Sequence, residues 1–300
     1  MSSPLPATPD ADAWESEAHK FDVREADYAP QVPPRLTGYT LAALAGIQFP
    51  SRKALLCRGE SPIFRAGDLA ELVAYRGFGK TWFLQTLALL MACRTEALGL
   101  RAPEPCRVLH IDGEMAREEL QERYQKLCDM LGLSWAAVDN LTIVAADWQD
   151  TYLPRLDTPE GREALEPFFE QADAVILDNR SCLFDSEGEK DPTAWAPAQE
   201  LLLSLRRRGK AVMMGHHANR QGGARGIGKA EDPLNLILKL SRPEGYRQED
   251  GARFTVEFEK ARGIHGQAAA PFVASLTPHG WVLDGEVPAA STTIEGKLLD

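Results

Sequence analysis

One eight-residue stretch constrains this chain more than any other: Ala74-Tyr-Arg-Gly-Phe-Gly79-Lys80-Thr81. It follows an apolar run at residues 69–75 and opens a helical pattern at residues 80–94. Glycines at 77 and 79 let backbone N–H groups turn inward around an anion, and a helix N-terminus adds partial positive charge. Lys80 then reaches phosphate oxygens, and the Thr81 hydroxyl is placed to ligate Mg²⁺. Ala74 stands where such loops usually begin with glycine, which is acceptable if its φ is negative. Strand, loop and helix in this order predict a phosphate-binding loop for ATP, contacted by Ala74, Arg76, Gly77, Phe78, Gly79, Lys80, Thr81 and Trp82.

The pattern around the loop predicts the fold class. Strands are expected at residues 107–112, 141–145, 174–178 and 211–215, with helices at 117–131, 159–171 and 194–208 between them. Nearly continuous apolar strands separated by helices make an α/β protein with a mostly parallel central sheet covered on both faces. Four further apolar runs, at 234–240, 254–259, 272–276 and 281–283, are separated only by turns. They are expected as antiparallel strands extending the C-terminal edge of the sheet. Residues 1–36, acidic and rich in Pro and Ala, read as a mostly disordered extension. The domain is expected over 37–286, with a tail at 287–300.

Three motifs surround the loop. Val175-Ile-Leu-Asp178-Asn179 delivers an acid at the carboxyl end of a buried strand, as a Walker B motif must to order Mg²⁺ with Thr81. His110-Ile-Asp112-Gly-Glu114 ends the strand expected after the loop's helix; Glu114, preferred to Asp112, is placed to activate the attacking water. The competing account of Glu114 is a favourable first-turn helix charge. Met214-Gly-His216-His217 ends the strand expected beside Walker B. Successive strand residues point to opposite faces, so only one histidine can face the nucleotide; His217 is taken as that contact.

The chain has 300 residues, a 44% hydrophobic share and a formal net charge of -11. That charge argues against a general nucleic-acid coat or a membrane-surface protein, though not against a local basic path. Five cysteines without a CxxC pair fit a reducing cytoplasm and no structural zinc. No secretion signal is visible, and the longest apolar stretch is too short to span a bilayer.

These residues, in this order, resemble the RecA-like P-loop ATPases. The pattern is most similar to RepA-type hexameric replicative helicases and related mobile-element AAA ATPases. The resemblance implies ATP hydrolysis with Mg²⁺ by a homo-oligomer, a hexamer, with single-stranded DNA and replication or mobile-element proteins as partners. Lys260-Ala-Arg262 resembles the Lys-x-Arg pair of DnaB-type and RadA-type ATPases, which implies a reach from one subunit to its neighbour's γ-phosphate. The Gly-rich stretch after His217 carries Arg220, Arg225 and Lys229, the expected single-stranded DNA contacts. The stretch at 185–191 is acidic and would repel DNA in the same channel. A DNA motor is thus one reading. An ATP-dependent switch or assembly ATPase acting on a protein partner, without DNA translocation, is the alternative.

Overall fold

The computed structural model describes residues 36–185, 192–218 and 230–284 of the chain. It divides into two units, one ending at Pro50 and one starting at Ser51. In the first, a short helix α1 (Leu41–Ala45) is opened by Thr40, whose hydroxyl accepts the Ala43 amide.

The second unit is built on a nine-stranded sheet. Its middle strands are β3 (Leu69–Ala74), β6 (Val108–Asp112), β7 (Leu141–Ala145), β8 (Ala174–Asp178) and β9 (Ala211–His217). They run parallel, with β10 (Leu236–Ser241) beyond β3, in the order β10-β3-β9-β8-β6-β7. Side chains of alternate residues face opposite layers. Ala70, Leu72, Ile176 and Met213 pack toward one core, and Leu69, Val73, Leu177 and Met214 toward the other. Burial on both faces explains why these strands are largely apolar, and it fixes their register.

The helix after the loop, α2 (Lys80–Cys93), is apolar around nearly its whole circumference, as a helix covered on all sides must be. The second cover is a small sheet of four short strands that the sequence reading does not anticipate: β1 (Ala54–Arg58), β2 (Ser61–Arg65), β4 (Glu96–Ala97) and β5 (Leu100–Arg101), in the order β2-β1-β5-β4. The last two precede β6, so residues 108–112 are not the next strand after α2. Two-residue strands carry no period for a sequence to show. Helices α3 (Arg117–Met130), α4 (Pro159–Gln171), α5 (Arg180–Leu183) and α6 (Pro192–Arg207) complete the layers. Among the described residues, no helix is long and apolar enough to cross a membrane.

One expectation needs correction. The run at 234–240 is not the first of the antiparallel strands. β10 lies parallel to β3 and antiparallel only to β11 (Arg253–Ala261). Most of β10 is buried, so it belongs to the parallel core, and the chain reverses one connection later. From there β11, β12 (Phe272–Thr277) and β13 (Gly280–Leu283) do form an antiparallel edge.

Candidate nucleotide site

Parallel strands bring their carboxyl ends to one edge of the sheet, and there the expected site residues gather around a cleft of about 760 Å³. The loop between β3 and α2 supplies Arg76, Gly77, Gly79, Lys80, Thr81 and Trp82 to its lining. Gly77 and Gly79 have φ of 77° and 96°, where only glycine is unstrained. Among the described residues, Arg94 and Leu98 are the non-glycines at positive φ, so Ala74 has the ordinary backbone its alanine requires. Space also restricts Gly79: a Cβ there would stand 3.0 Å from both Ala252 and Phe254, at the start of β11.

Lys80 is buried and forms an ion pair with the equally buried Asp178. Burial alone would raise the Asp178 pKa; the Lys80 charge and hydrogen bond, with help from His110 and the Thr81 hydroxyl, hold it below the ordinary value. Gly215, on the neighbouring β9, makes room for this pair. A Cβ at 215 would lie 2.9 Å from Lys80 Nζ and 3.0 Å from Asp178 Oδ1.

Asp112 pairs in register with Asp178 across β6 and β8. Its Oδ1 accepts the backbone amides of Glu114 (3.0 Å) and Met115 (2.7 Å), which fixes the turn carrying Glu114. Burial pushes the Asp112 carboxyl up, and Asp178 adds to that while His110 opposes it. Glu114 differs: its side chain is 60% exposed, and it accepts a hydrogen bond from Asn179 Nδ2. The same amide nitrogen lies 3.2 Å from His217 Nε2. Glu114 precedes the first turn of α3, which starts at Arg117, so it is not a helix-dipole charge. His217 lines the cleft, and burial together with the Lys80 charge lowers its pKa. His216 points the other way, with Nδ1 3.0 Å from Glu71 and Arg180 on the same carboxylate. The histidines therefore divide between the two faces, as alternation requires.

Several residues in or beside the cleft were not singled out from sequence. Asn179 joins Glu114 to His217, and its only signal was adjacency to Asp178. Arg242 donates to the Gly77 carbonyl (3.1 Å) while its guanidinium stacks between Phe78 and Tyr246. Nothing local marks it, since it comes from the other side of the sheet's centre. Arg123 on α3 lies over the Trp82 ring, 5.0 Å from its centre, and lines the cleft with Glu119.

Other expected residues lie elsewhere. Lys260 and Arg262 sit at the opposite edge of the sheet, because β11 runs antiparallel and Ala261 pairs with Leu236, the first residue of β10. Their side chains donate to the carbonyls of Glu231 (2.6 Å) and Asp232 (2.8 Å). Six strand residues separate that edge from the loop, roughly 20 Å at strand rise, so neither reaches the cleft of its own chain. Arg220, Arg225 and Lys229 lie outside the described residues.

The residues present fit a triphosphate with a divalent cation. The loop glycines and the α2 N-terminus provide an anion cradle with Lys80 beside it. Asp178 Oδ2 and Asp112 Oδ2 are buried without a hydrogen-bond partner, oxygens that suit a hard cation or its water shell.

Comparison with known proteins supports the fold. The fold is similar to the crystal structure of a KaiC-like protein from the hyperthermophilic archaeon Pyrococcus horikoshii, with a TM-score of 0.53 at 15% identity, covering 78% of this chain and 98% of that one. No curated protein matches the chain. A family model described as an AAA domain matches residues 33–223, which include the phosphate loop, Asp112, Glu114, Asp178 and both histidines. The chain belongs to this AAA domain family of nucleotide-binding P-loop proteins, in the RecA-like fold.

Proposed function

We propose that the chain is an ATP-hydrolysing switch that assembles with copies of itself and acts on a protein partner. The observation that carries this reading is the sharing of the Asn179 amide between Glu114 and His217. The carboxylate that activates water, the Walker B strand and the strand leading into residues 219–229 thereby meet at one side chain. Occupancy of the γ-phosphate position is then felt directly by the segment beyond β9.

A bound nucleotide would supply the scissile phosphoanhydride; Thr81 and Asp178 would hold Mg²⁺, which would supply charge neutralisation there. Lys80 exchanges Asp178 for phosphate oxygens. Glu114, exposed to the cleft, accepts a proton from water, while Asn179 holds its carboxylate in place. Burial and the Lys80 charge lower the His217 pKa, which favours the uncharged ring as a polar contact. Trp82 and Arg123, stacked together in the lining of the cleft, form a flat surface suited to a nucleobase. Lys260 and Arg262 act on the cleft of a neighbouring copy, stabilising charge on the leaving phosphates.

The net charge of -11 and the acidic residues at 185–191 favour a protein partner over DNA. The motor reading rests on Arg220, Arg225 and Lys229. ATPase activity with and without single-stranded DNA at low salt, beside sizing chromatography with and without ATP, separates the two. ATP-dependent assembly with turnover indifferent to DNA is expected; stimulation by DNA would replace the switch with the motor. Mixing Arg262→Ala with Lys80→Ala protein should restore part of the lost turnover, because one interface is then whole. No rescue in assemblies shown to exchange subunits would remove the role in trans.

A further inference from the structure

Beside the Lys80–Asp178 pair lies a group of donor atoms that brings in His110, a residue the proposed hydrolysis does not use. A ring nitrogen of His110 and one carboxylate oxygen each from Asp112 and Asp178 lie within 4.8 Å of one another. The strands make this grouping. His110 and Asp112 are two apart on β6 and share a face, and Asp112 is the cross-strand partner of Asp178. All three residues are at most 2% exposed.

The hydrogen bonding of the group is incomplete in a specific way. His110 Nδ1 is engaged by the Tyr124 hydroxyl at 2.8 Å. His110 Nε2, Asp112 Oδ2 and Asp178 Oδ2 have no hydrogen-bond partner. Buried polar atoms are ordinarily paired, so an orphan on each of three residues whose donor groups converge needs an explanation. A histidine with one nitrogen fixed by a neighbour and the other free among carboxylates is how a metal-ligating imidazole is usually held.

We infer that His110, Asp112 and Asp178 form a binding site for a first-row transition-metal dication, with Tyr124 as the outer partner that orients His110. One imidazole nitrogen and two carboxylate oxygens suit Mn²⁺, Fe²⁺, Co²⁺ or Zn²⁺ better than Mg²⁺, which prefers oxygen alone. The site shares Asp178 with the Thr81–Asp178 position and differs from it in taking His110 and Asp112 in place of Thr81. It needs no nucleotide. Atoms within 4.8 Å of one another must draw in by several tenths of an ångström to reach ordinary metal–ligand lengths of about 2.1 Å. The inference does not depend on which partner the chain acts upon.

The test uses Mn²⁺ alone on the full chain without nucleotide. Electron spin-echo spectroscopy should show ¹⁴N coupling from a directly bound imidazole. The coupling should persist in His217→Ala and Thr81→Ala and disappear in His110→Gln. Tyr124→Phe, which keeps the ring and removes only the hydroxyl, should weaken Mn²⁺ binding by about 10- to 100-fold. Since His110→Gln alters a buried position, the wild-type spectrum is decisive by itself. Mn²⁺ bound without ¹⁴N coupling, no Mn²⁺ bound at millimolar concentration, or coupling that survives in folded His110→Gln protein would each overturn the site.

Discussion

Gly215→Ala tests the packing of the site more directly than any change to a charged residue. The added Cβ would stand 2.9 Å from Lys80 Nζ, 2.9 Å from Leu84 Cδ1 and 3.0 Å from Asp178 Oδ1. Comfortable carbon–carbon contact begins near about 3.5 Å, so the methyl intrudes by roughly half an ångström on three sides at once. Leu84, on α2, is held in the core, and Asp178 is short and anchored on a central strand. Lys80 is the longest and most yielding of the three, so the cheapest relief is to push it off Asp178. Overpacking of this kind costs about 1–3 kcal/mol. For a unit of this size each kilocalorie is worth roughly 2–4 °C, giving a fall of roughly 2–12 °C in Tm. Urea denaturation of nucleotide-free protein measures the loss. Repeating it in a Lys80→Ala background supplies the control, because one crowded atom is then absent. The two changes should be non-additive by at least about 0.5 kcal/mol, as for residues in contact. A loss below about 0.5 kcal/mol, or strict additivity with Lys80→Ala, would refute the claim that Gly215 exists to house the pair.

Three other outcomes are expected. Glu114→Gln should retain ATP binding and slow hydrolysis by ~10²-fold or more in single-turnover assays; if Asp112→Asn is crippled while Glu114→Gln is not, the base has been assigned to the wrong carboxylate. Arg242→Ala should weaken nucleotide binding about tenfold, the worth of one charged hydrogen bond on the loop, with little change in kcat. Arg242→Lys should not restore it, because stacking between Phe78 and Tyr246 needs a planar cation, and an unchanged nucleotide Kd in either variant would dismiss the clamp. Glu71→Gln should cost about 3 kcal/mol or more by removing the buried carboxylate that Arg180 and His216 share. Burial opposes the Glu71 charge, but His216 and Arg180 outweigh it and lower the pKa from 4.5. Its stabilisation is therefore present above pH 4.5 and lost as the pH falls through the lower folded value. The acid limb of a urea-stability profile should flatten in Glu71→Gln, and an unaltered limb would show that the cluster is not its source.

Much of the site was written in local residue order. Lys80 and Thr81 follow their glycines within one turn, and Asp178 and His217 end apolar strands, so residue type, spacing and strand period located each one without a fold. The alternation rule even divided His216 from His217. What the sequence could not show is whatever depends on strand register and direction. Asp112 meets Asp178 because two parallel strands align those residues, and Asn179 reaches Glu114 and His217 only once β6, β8 and β9 lie side by side. Gly215 looks like any glycine near a strand end until the Lys80–Asp178 pair is seen to fill its missing side chain. Arg242 stands 165 residues from the carbonyl it holds. The direction of β10 was misread for the same reason: a run of apolar residues records that a strand is buried on both faces, but not which way its neighbours run. Local chemistry is carried by neighbours in the chain, so sequence determined the phosphate loop and its acids. The alignment of distant strands is settled by burying their faces together, so only the tertiary structure decided how those parts meet.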